Sequence, residues 1–166
     1  MAQSVTTPQK EGCNFEQKLH DILEQTKCKI LREADIKRKY GVNVSGIDHL
    51  IYHKKIIICM QDKWQSKTIS IGDFNHFSKC VEEISKHPDS VNIINFIAIY
   101  ASNQNLSANS REQFDKENER YRNKTSKIRY YTCYDSDENV IISKLQHFLH
   151  KNCIFLYDAE GDSLMV

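Results

Sequence analysis

The amino-acid sequence predicts a single α/β domain, and three observations lead to this prediction. Residues 91–101 (VNIINFIAIYA) form a nearly continuous apolar run, which is typical of a central strand that is covered on both faces. Amphipathic segments of helical period precede and follow this run. The length of 166 residues fits one domain with a sizeable core.

The first predicted elements follow a polar segment without periodicity. Residues 1–11 are expected to form a flexible N-terminal tail. Asn14 resembles the N-cap of a helix, because apolar residues recur at helical spacing after it. This apolar stripe consists of Phe15, Leu19, Ile22 and Leu23. Residues 28–31 then indicate a short strand, and residues 35–40 indicate one or two helical turns.

The later segments alternate between strand and helix, and they complete the predicted domain. The predicted elements are a β-hairpin within residues 47–63, a helix from residue 73 to before Pro88, a helix from about residue 107 to 124, a strand at 128–133 and a helix at 137–150. The domain is expected to span residues 12–150. Residues 151–166 are expected to be an extension that adds an edge strand or packs loosely on the domain.

Three polar residues of the hairpin are predicted to share one face of the sheet. Successive side chains of a strand point to opposite faces, so Gln61 and Lys63 project to the same side. An even-numbered loop near His53 places Asp48 across from Cys59. Asp48 then lies on the face of Gln61 and Lys63, one diagonal step from Gln61. An odd-numbered loop or a bulge would break this parity.

This set of groups suits the hydrolysis of phosphodiester bonds. Carboxylate and amide oxygens are hard ligands of the kind that Mg²⁺ accepts, with waters and substrate phosphates completing its octahedron. A nearby ammonium group holds an attacking water and offsets the charge on a phosphoryl group. The spacing alone is equally compatible with an ordinary amphipathic hairpin whose polar face carries these residues.

The motifs resemble those of a known nuclease superfamily. Gly46-Ile47-Asp48, the apolar run 56–58 and Gln61-Asp62-Lys63-Trp64 are similar to the core of the PD-(D/E)xK nucleases, in particular to the Mrr-like branch with its QxK variant. Phe15-Glu16 matches the glutamate that this family places on its first helix. The proline that names the superfamily is absent, a departure that Mrr-like members share. The resemblance covers roughly residues 12–150 and implies a restriction-endonuclease-like core with a central mixed sheet flanked by helices.

The resemblance implies a role for each residue of the site. Asp48 would bind Mg²⁺, or Mn²⁺ in its place, and Gln61 would supply a neutral second oxygen. Lys63 would orient the nucleophilic water, and Glu16 would bind the metal directly or through water. Asp62 would contribute its backbone carbonyl, so its side chain need not take part. Because an amide replaces a carboxylate at Gln61, we expect weak metal binding or dependence on DNA phosphates.

Three residues after the motif are candidates for contact with nucleic acid. Trp64 either stacks on a base and lines the cleft or packs against the following helix. Lys67 is expected to meet a phosphate, with Gln65 beside it. The 23 basic and 22 acidic residues nearly balance, so attraction to DNA must come from local patches. Residues 27–39 and 116–129 are two such patches, although both contain acids, as solvated helix faces do.

The rest of the composition argues against several classes of protein. No stretch approaches ~20 apolar residues and no signal-peptide pattern is present, so we expect a soluble intracellular protein, in the cytoplasm or nucleus, that avoids membranes. The six cysteines are spread singly, which predicts reduced and mostly buried thiols. His76 and Cys80 would form only half of a metal site. The richness in Lys, Asn and Ile fits an AT-rich viral or bacterial genome.

Taken together, the sequence predicts a divalent-metal-dependent deoxyribonuclease that acts on DNA as an endonuclease. A Holliday-junction-resolvase-like nuclease that works as a homodimer is an alternative within the enzyme class. A catalytically silent nucleic-acid-binding or protein-interaction module on the same fold is an alternative from another class. The sequence leaves the choice between DNA and RNA open.

Overall fold

One mixed sheet of five strands follows the order of the chain, β1-β2-β3-β4-β5. The computed structural model describes residues 7–41 and 44–164. The strands are β1 (Lys29–Arg32), β2 (His49–His53), β3 (Ile56–Lys63), β4 (Asn95–Ser102) and β5 (Ile128–Tyr134). β1, β2 and β3 form an antiparallel meander, and β4 and β5 extend it with parallel pairing. The predicted α/β class with a central mixed sheet flanked by helices is confirmed.

Five α-helices flank this sheet. They are α1 (Thr7–Glu24), α2 (Glu33–Tyr40), α3 (Ile71–Lys86), α4 (Ala108–Arg122) and α5 (Glu138–Lys151). α3 connects β3 to β4 and α4 connects β4 to β5, because parallel neighbours need a crossover connection. The carboxyl ends of β3, β4 and β5 therefore meet at one edge of the sheet.

Alternating strand residues build one hydrophobic layer on each face of the sheet. Ile57 and Cys59 pack beneath α3 and α4, and this side is called the α3 face. Ile58 and Met60 pack beneath α1 and α5, and this side is called the α1 face. Each face of β3 is therefore buried, so a polar side chain near its end is held close to a covering helix.

The N-terminal boundary of α1 differs from the prediction. The helix begins at Thr7 rather than at Asn14, so residues 7–11, which we assigned to the tail, are helical. A proline such as Pro8 is tolerated in the first turn of a helix because its missing N–H has no intrahelical partner there. Asn14 therefore lies within the helix and is not its cap. The predicted tail residues 1–6 lie outside the described residues.

The apolar run at 91–101 is only partly a strand. β4 begins at Asn95, and the residues before it follow a short 3₁₀ helix at Pro88–Ser90. The Ser90 hydroxyl donates to the Ile84 carbonyl at 2.8 Å, which fixes a turn after α3. Val91 is 77% exposed and Ile94 is 57% exposed, so apolar character overstated the length of this strand.

The C-terminal extension packs on the domain, and its described residues, up to 164, add no strand to the sheet. Ile154 and Leu156 are fully buried on the α1 face. The Tyr157 amide donates to the Gln25 carbonyl at 2.8 Å, just beyond the end of α1. The extension therefore completes the core between α1 and α5. Among the described residues, no helix has the length and apolar character needed to cross a bilayer.

Candidate active site

The β2–β3 hairpin keeps the predicted parity but has a different turn. Its strands close at the pair His53–Ile56, so the loop lies one residue later than predicted and the register shifts by two residues. A shift of two leaves every side chain on its predicted face. Pairing ends at His49–Met60, so Asp48 and Gln61 are the next residues along the two strands. Asp48 therefore lies beside Gln61 rather than diagonal to it.

Asp48 is anchored at the end of β3 by two neighbours. Its Oδ2 accepts a hydrogen bond from the Asp62 backbone N–H at 2.7 Å, and its own amide donates to the Met60 carbonyl at 2.9 Å. The Gln61 side-chain amide lies beside the Gly46 carbonyl and Asp48 Oδ2. In the orientation in which its nitrogen donates to the Gly46 carbonyl, that nitrogen lies 3.3 Å from Asp48 Oδ2 and faces the carboxylate.

The surroundings of Asp48 disfavour its negative charge. Burial, together with the charges of Asp62 and Glu16, raises the pKa of Asp48 to about 7. The hydrogen bond from the Asp62 backbone acts in the opposite direction but is outweighed. A cation next to Asp48 would relieve this repulsion.

Lys63 is the third residue of the predicted set. It projects to the same side of β3 as Gln61 and pairs with Ser102 at the carboxyl end of β4. Its side chain is half-buried and makes no ion pair or hydrogen bond with a side chain in the part of the chain that the structure describes. The ammonium group is therefore available to a ligand at this edge of the sheet.

Gly46 allows α3 to approach the site. A Cβ atom at this position would lie 2.9 Å from His76 Cδ2 and 3.3 Å from Cys80 Sγ. His76 also contacts the Ser45 hydroxyl, with Nε2 and Oγ 3.2 Å apart. The absence of a side chain thus lets the Gly46 carbonyl face Gln61 while α3 packs behind it.

The Asp62 side chain has a buried contact of its own. The resemblance implies a role only for its backbone carbonyl, while its carboxylate is buried on the α1 face, with Oδ2 2.5 Å from His49 Nε2. Burial raises the pKa of Asp62. Burial alone would lower the pKa of His49, but the charge and hydrogen bond of Asp62 outweigh this and raise it. Both shifts favour a proton held between the two side chains.

His49 was missed at the sequence level, although the pattern contained the signal. It follows Asp48 directly, so strand alternation turns it to the opposite face, where Met60 and Asp62 lie. Its ring stacks on His20 of α1, with centroids 5.7 Å apart and an interplanar angle of 20°. The hairpin end therefore carries polar side chains on both faces of the sheet: Asp48 and Gln61 on one, and His49 and Asp62 on the other.

Glu16 lies on α1, on the opposite side of the sheet from Gln61 and Lys63. Its Oε1 is 3.6 Å from the Arg32 guanidinium, and its side chain is 34% exposed. Its charge still contributes to raising the pKa of both Asp48 and His49. Glu16 is therefore within electrostatic reach of the site, but its carboxylate pairs with Arg32.

The three candidates for nucleic-acid contact have different environments. The ring of Trp64 packs on Phe15 of α1 at 5.2 Å between centroids, not on the following helix. The Gln65 backbone exchanges hydrogen bonds with the Asn103 side chain, each at 2.9 Å. Lys67 has an exposed side chain, while its carbonyl accepts from Gln65 Nε2 at 2.8 Å. Trp64 and Gln65 thus stabilise the rim of the site, and Lys67 faces solvent.

The donor set at the hairpin fits a hard divalent cation. No cluster of three His, Cys, Asp or Glu side chains that would hold a metal occurs within residues 7–41 and 44–164, and His76 and Cys80 gain no such partners. One carboxylate with a raised pKa, one amide and a backbone carbonyl are nevertheless ligands of the type that Mg²⁺ uses when phosphate and water complete its shell.

Comparisons with known proteins give little further guidance. No family model matches the chain, and no curated protein matches it. Among solved structures, the crystal structure of a repair endonuclease from Pyrococcus abyssi is similar, with a TM-score of 0.45 and 14% sequence identity. The match covers 79% of this chain and 49% of that chain, so the present chain spans about half the length of that structure.

Proposed function

We propose that the chain is a Mg²⁺-dependent nuclease that hydrolyses phosphodiester bonds of DNA as an endonuclease. The observation that carries this proposal is the juxtaposition of Asp48 and Gln61 on the side of β3 that also presents Lys63. The order of Asp48, Gln61 and Lys63 along the chain matches the motif on which the resemblance to the PD-(D/E)xK nucleases rests. A carboxylate, an amide and an uncommitted ammonium at one sheet edge suit hydrolysis of a phosphodiester.

Asp48, Gln61 and the backbone carbonyl of Asp62 would hold the metal, with Mn²⁺ able to replace Mg²⁺. The bound ion would supply Lewis-acid activation and neutralise negative charge on the phosphate. Gln61 would present its oxygen to the metal, whereas in the metal-free protein its nitrogen would donate to Asp48 and the Gly46 carbonyl. This change of orientation is consistent with metal binding that depends on DNA phosphates.

Lys63 would hold the attacking water and offset the charge that develops on the phosphoryl group. Its lack of an ion pair in the described part of the chain supports this role, since a paired ammonium would be less available. Glu16 would join the site through water once its pairing with Arg32 loosens. Lys67, Gln65 and Trp64 would form the DNA-facing rim, with Lys67 contacting a phosphate.

A catalytically silent module that binds nucleic acid or protein is the second candidate. It is favoured by Gln61, whose amide nitrogen can donate to Asp48 and the Gly46 carbonyl without any metal. It is also favoured by the Asp62 side chain, which is buried against His49 and so brings no second carboxylate to the side of Asp48. A junction-cleaving homodimer remains a variant of the first proposal.

The decisive experiment incubates plasmid, linear and branched DNA with the protein and Mg²⁺ or Mn²⁺. Asp48→Asn and Lys63→Ala are each expected to lower the cleavage rate by roughly 100-fold or more, because each removes a group that acts on the scissile phosphate. Asp115→Asn and Lys79→Ala, at exposed positions of α4 and α3, are the matched controls and should cleave normally.

Three outcomes separate the candidates. Metal-dependent cleavage that both site variants lose supports the nuclease. DNA binding without any cleavage favours the silent module. Cleavage that survives both substitutions would show that this hairpin is not the active site. Branched DNA cleaved in preference to linear DNA by a dimer would support the junction-cleaving variant.

A further inference from the structure

The basic segment at the end of α4 divides into two sets of charges. Arg120 pairs with Glu82 at 3.1 Å and with Glu117 at 3.0 Å, and Lys116 lies 3.5 Å from Glu112. The second set makes no ion pair with any described residue. It consists of Arg122, Lys124, Lys127 and Arg129. The uncompensated charges of this segment therefore all belong to the second set.

These unpaired cations line a groove that runs from the amino end of β5 along its free edge. The groove, here called the β5 groove, consists of two adjoining hollows that share Tyr121 and Arg122. Lys124 and Lys127 line the hollow at the strand start, and Arg129 lines the other. Neither hollow has an Asp or Glu in its lining. The groove thus concentrates positive charge in a chain whose net charge is only +1.

Aromatic faces alternate with these cations. The Arg129 guanidinium lies 4.9 Å from the ring centroid of Tyr131 and 5.8 Å from that of Tyr121. Both tyrosines are half-buried, and the Arg129 guanidinium lies over one face of each ring. Cations that follow a phosphate backbone, combined with aromatic faces that stack on bases, are the two components of single-strand recognition.

The backbone around the groove is fixed. The Asn118 side chain bonds to both polar backbone groups of Tyr130, at 2.8 and 3.0 Å, and so attaches α4 to the outer edge of β5. The turn after α4 is closed by Thr125, whose amide and hydroxyl both donate to the Arg120 carbonyl. A ligand would therefore meet a preformed surface and would not need to order this backbone.

We propose that the β5 groove binds single-stranded nucleic acid. This site is separate from the hairpin site, because it starts at the amino ends of the parallel strands, whereas Asp48 and Lys63 lie at the carboxyl end of β3. The eight residues of β3 separate the two ends by roughly 23 Å. Binding in the groove does not require Asp48, so it extends beyond the proposed hydrolysis and does not depend on it.

The test measures binding of a labelled thymidine oligonucleotide of about 15 nucleotides by fluorescence anisotropy, in EDTA, at several salt concentrations. The variant Arg122→Gln/Lys124→Gln/Lys127→Gln is compared with Lys10→Gln/Lys79→Gln/Lys151→Gln, which removes the same charge from exposed positions outside the groove. The groove variant should bind at least tenfold more weakly than the control. The slope of the logarithm of its association constant against the logarithm of the salt concentration should also be less negative by about 2, because three phosphate contacts are lost.

Base stacking is tested with Tyr121→Leu and with an abasic oligomer of equal length. Wild type should bind the abasic oligomer about tenfold more weakly than the thymidine oligomer, and Tyr121→Leu should reduce only thymidine binding. Equal affinity for both oligomers would overturn the proposal in favour of a general polyanion surface. A groove variant that binds like its control would overturn it as well.

One further arm separates this proposal from the nuclease. Asp48→Asn should bind the oligonucleotide in EDTA as wild type does, whether or not the protein ever cleaves DNA. Loss of binding in Asp48→Asn with normal binding by the groove variant would place the strand at the hairpin and contradict the proposal.

Discussion

At the scale of single residues, Asp48 is an acid in surroundings that disfavour its charge. Burial and the neighbouring Asp62 and Glu16 raise its pKa, while the Asp62 backbone N–H donates a hydrogen bond to it. A cation beside Asp48 would favour its charged form. The stability of the metal-free protein should therefore depend on pH and on the charge of the residue at position 61.

The first prediction concerns pH dependence of stability. The pKa of Asp48 rises from its ordinary 3.8 to about 7 on folding, so the folded state binds more protons between these values. The free energy of unfolding should therefore be highest below pH ~4 as far as Asp48 contributes, and should fall as pH rises through ~7. In Asp48→Asn this fall in the free energy of unfolding should be smaller than in wild type by roughly 2–4 kcal/mol. Urea denaturation of both proteins in EDTA at pH 5 and pH 8 measures the fall. An equal fall in wild type and in Asp48→Asn would contradict the prediction.

The second prediction concerns Gln61→Glu. A second carboxylate beside Asp48 should lower the melting temperature in EDTA, because two like charges would meet in a half-buried site. Mg²⁺ should then raise the melting temperature more in this variant than in wild type, since binding is coupled to folding. Gln146→Glu on α5 adds the same charge elsewhere and serves as the control. If Mg²⁺ did not raise the melting temperature of Gln61→Glu, the result would argue against a metal site here.

At the scale of elements, the β2–β3 hairpin carries different polar groups to its two faces. Asp48 and Gln61 turn to the α3 face, while His49 and Asp62 turn to the α1 face. The buried pair connects the two strands at the point where regular pairing ends. It therefore helps to hold the Asp62 backbone N–H that anchors Asp48 at 2.7 Å.

The third prediction tests this buried pair. Asp62→Ala should reduce the free energy of unfolding by about 3 kcal/mol, because it leaves His49 buried without its partner. A double-mutant cycle with His49→Ala should give a coupling energy above ~1 kcal/mol. The exposed pair Arg38 and Asp35, at 3.1 Å, is the matched control and should couple by less than ~0.5 kcal/mol. Similar coupling in both pairs would show that the buried contact does not hold the hairpin.

At the scale of the whole molecule, the sequence predicts the α/β class, the order of the elements and the shared face of Asp48, Gln61 and Lys63. The face is predictable because strand alternation has a period of two and survives the observed two-residue shift in register. The start of α1 and the burial of the Asp62 side chain cannot be predicted from the sequence, because both depend on which surfaces tertiary packing covers. Residues 91–94 show the same limit, since apolar side chains there remain exposed in a turn.

The fourth prediction concerns the C-terminal extension as part of the core. Leu156→Ala should reduce the free energy of unfolding by about 3 kcal/mol, because the side chain is fully buried between α1 and α5. Phe155→Ala is the matched control: its side chain is 42% exposed, so we expect a loss below ~1 kcal/mol. Chemical denaturation of both variants gives the comparison. Equal losses would mean that the extension only trails the domain.

The most direct test of the central proposal is the position of one metal ion. Crystals of Lys63→Ala grown with Mn²⁺ and a short DNA duplex would locate the ion by anomalous scattering. The proposal predicts one Mn²⁺ bound by a carboxylate oxygen of Asp48 and the amide oxygen of Gln61, with a DNA phosphate in its coordination shell. An ion elsewhere, or DNA at the hairpin with the Gln61 amide nitrogen still facing Asp48 and no ion between them, would contradict it.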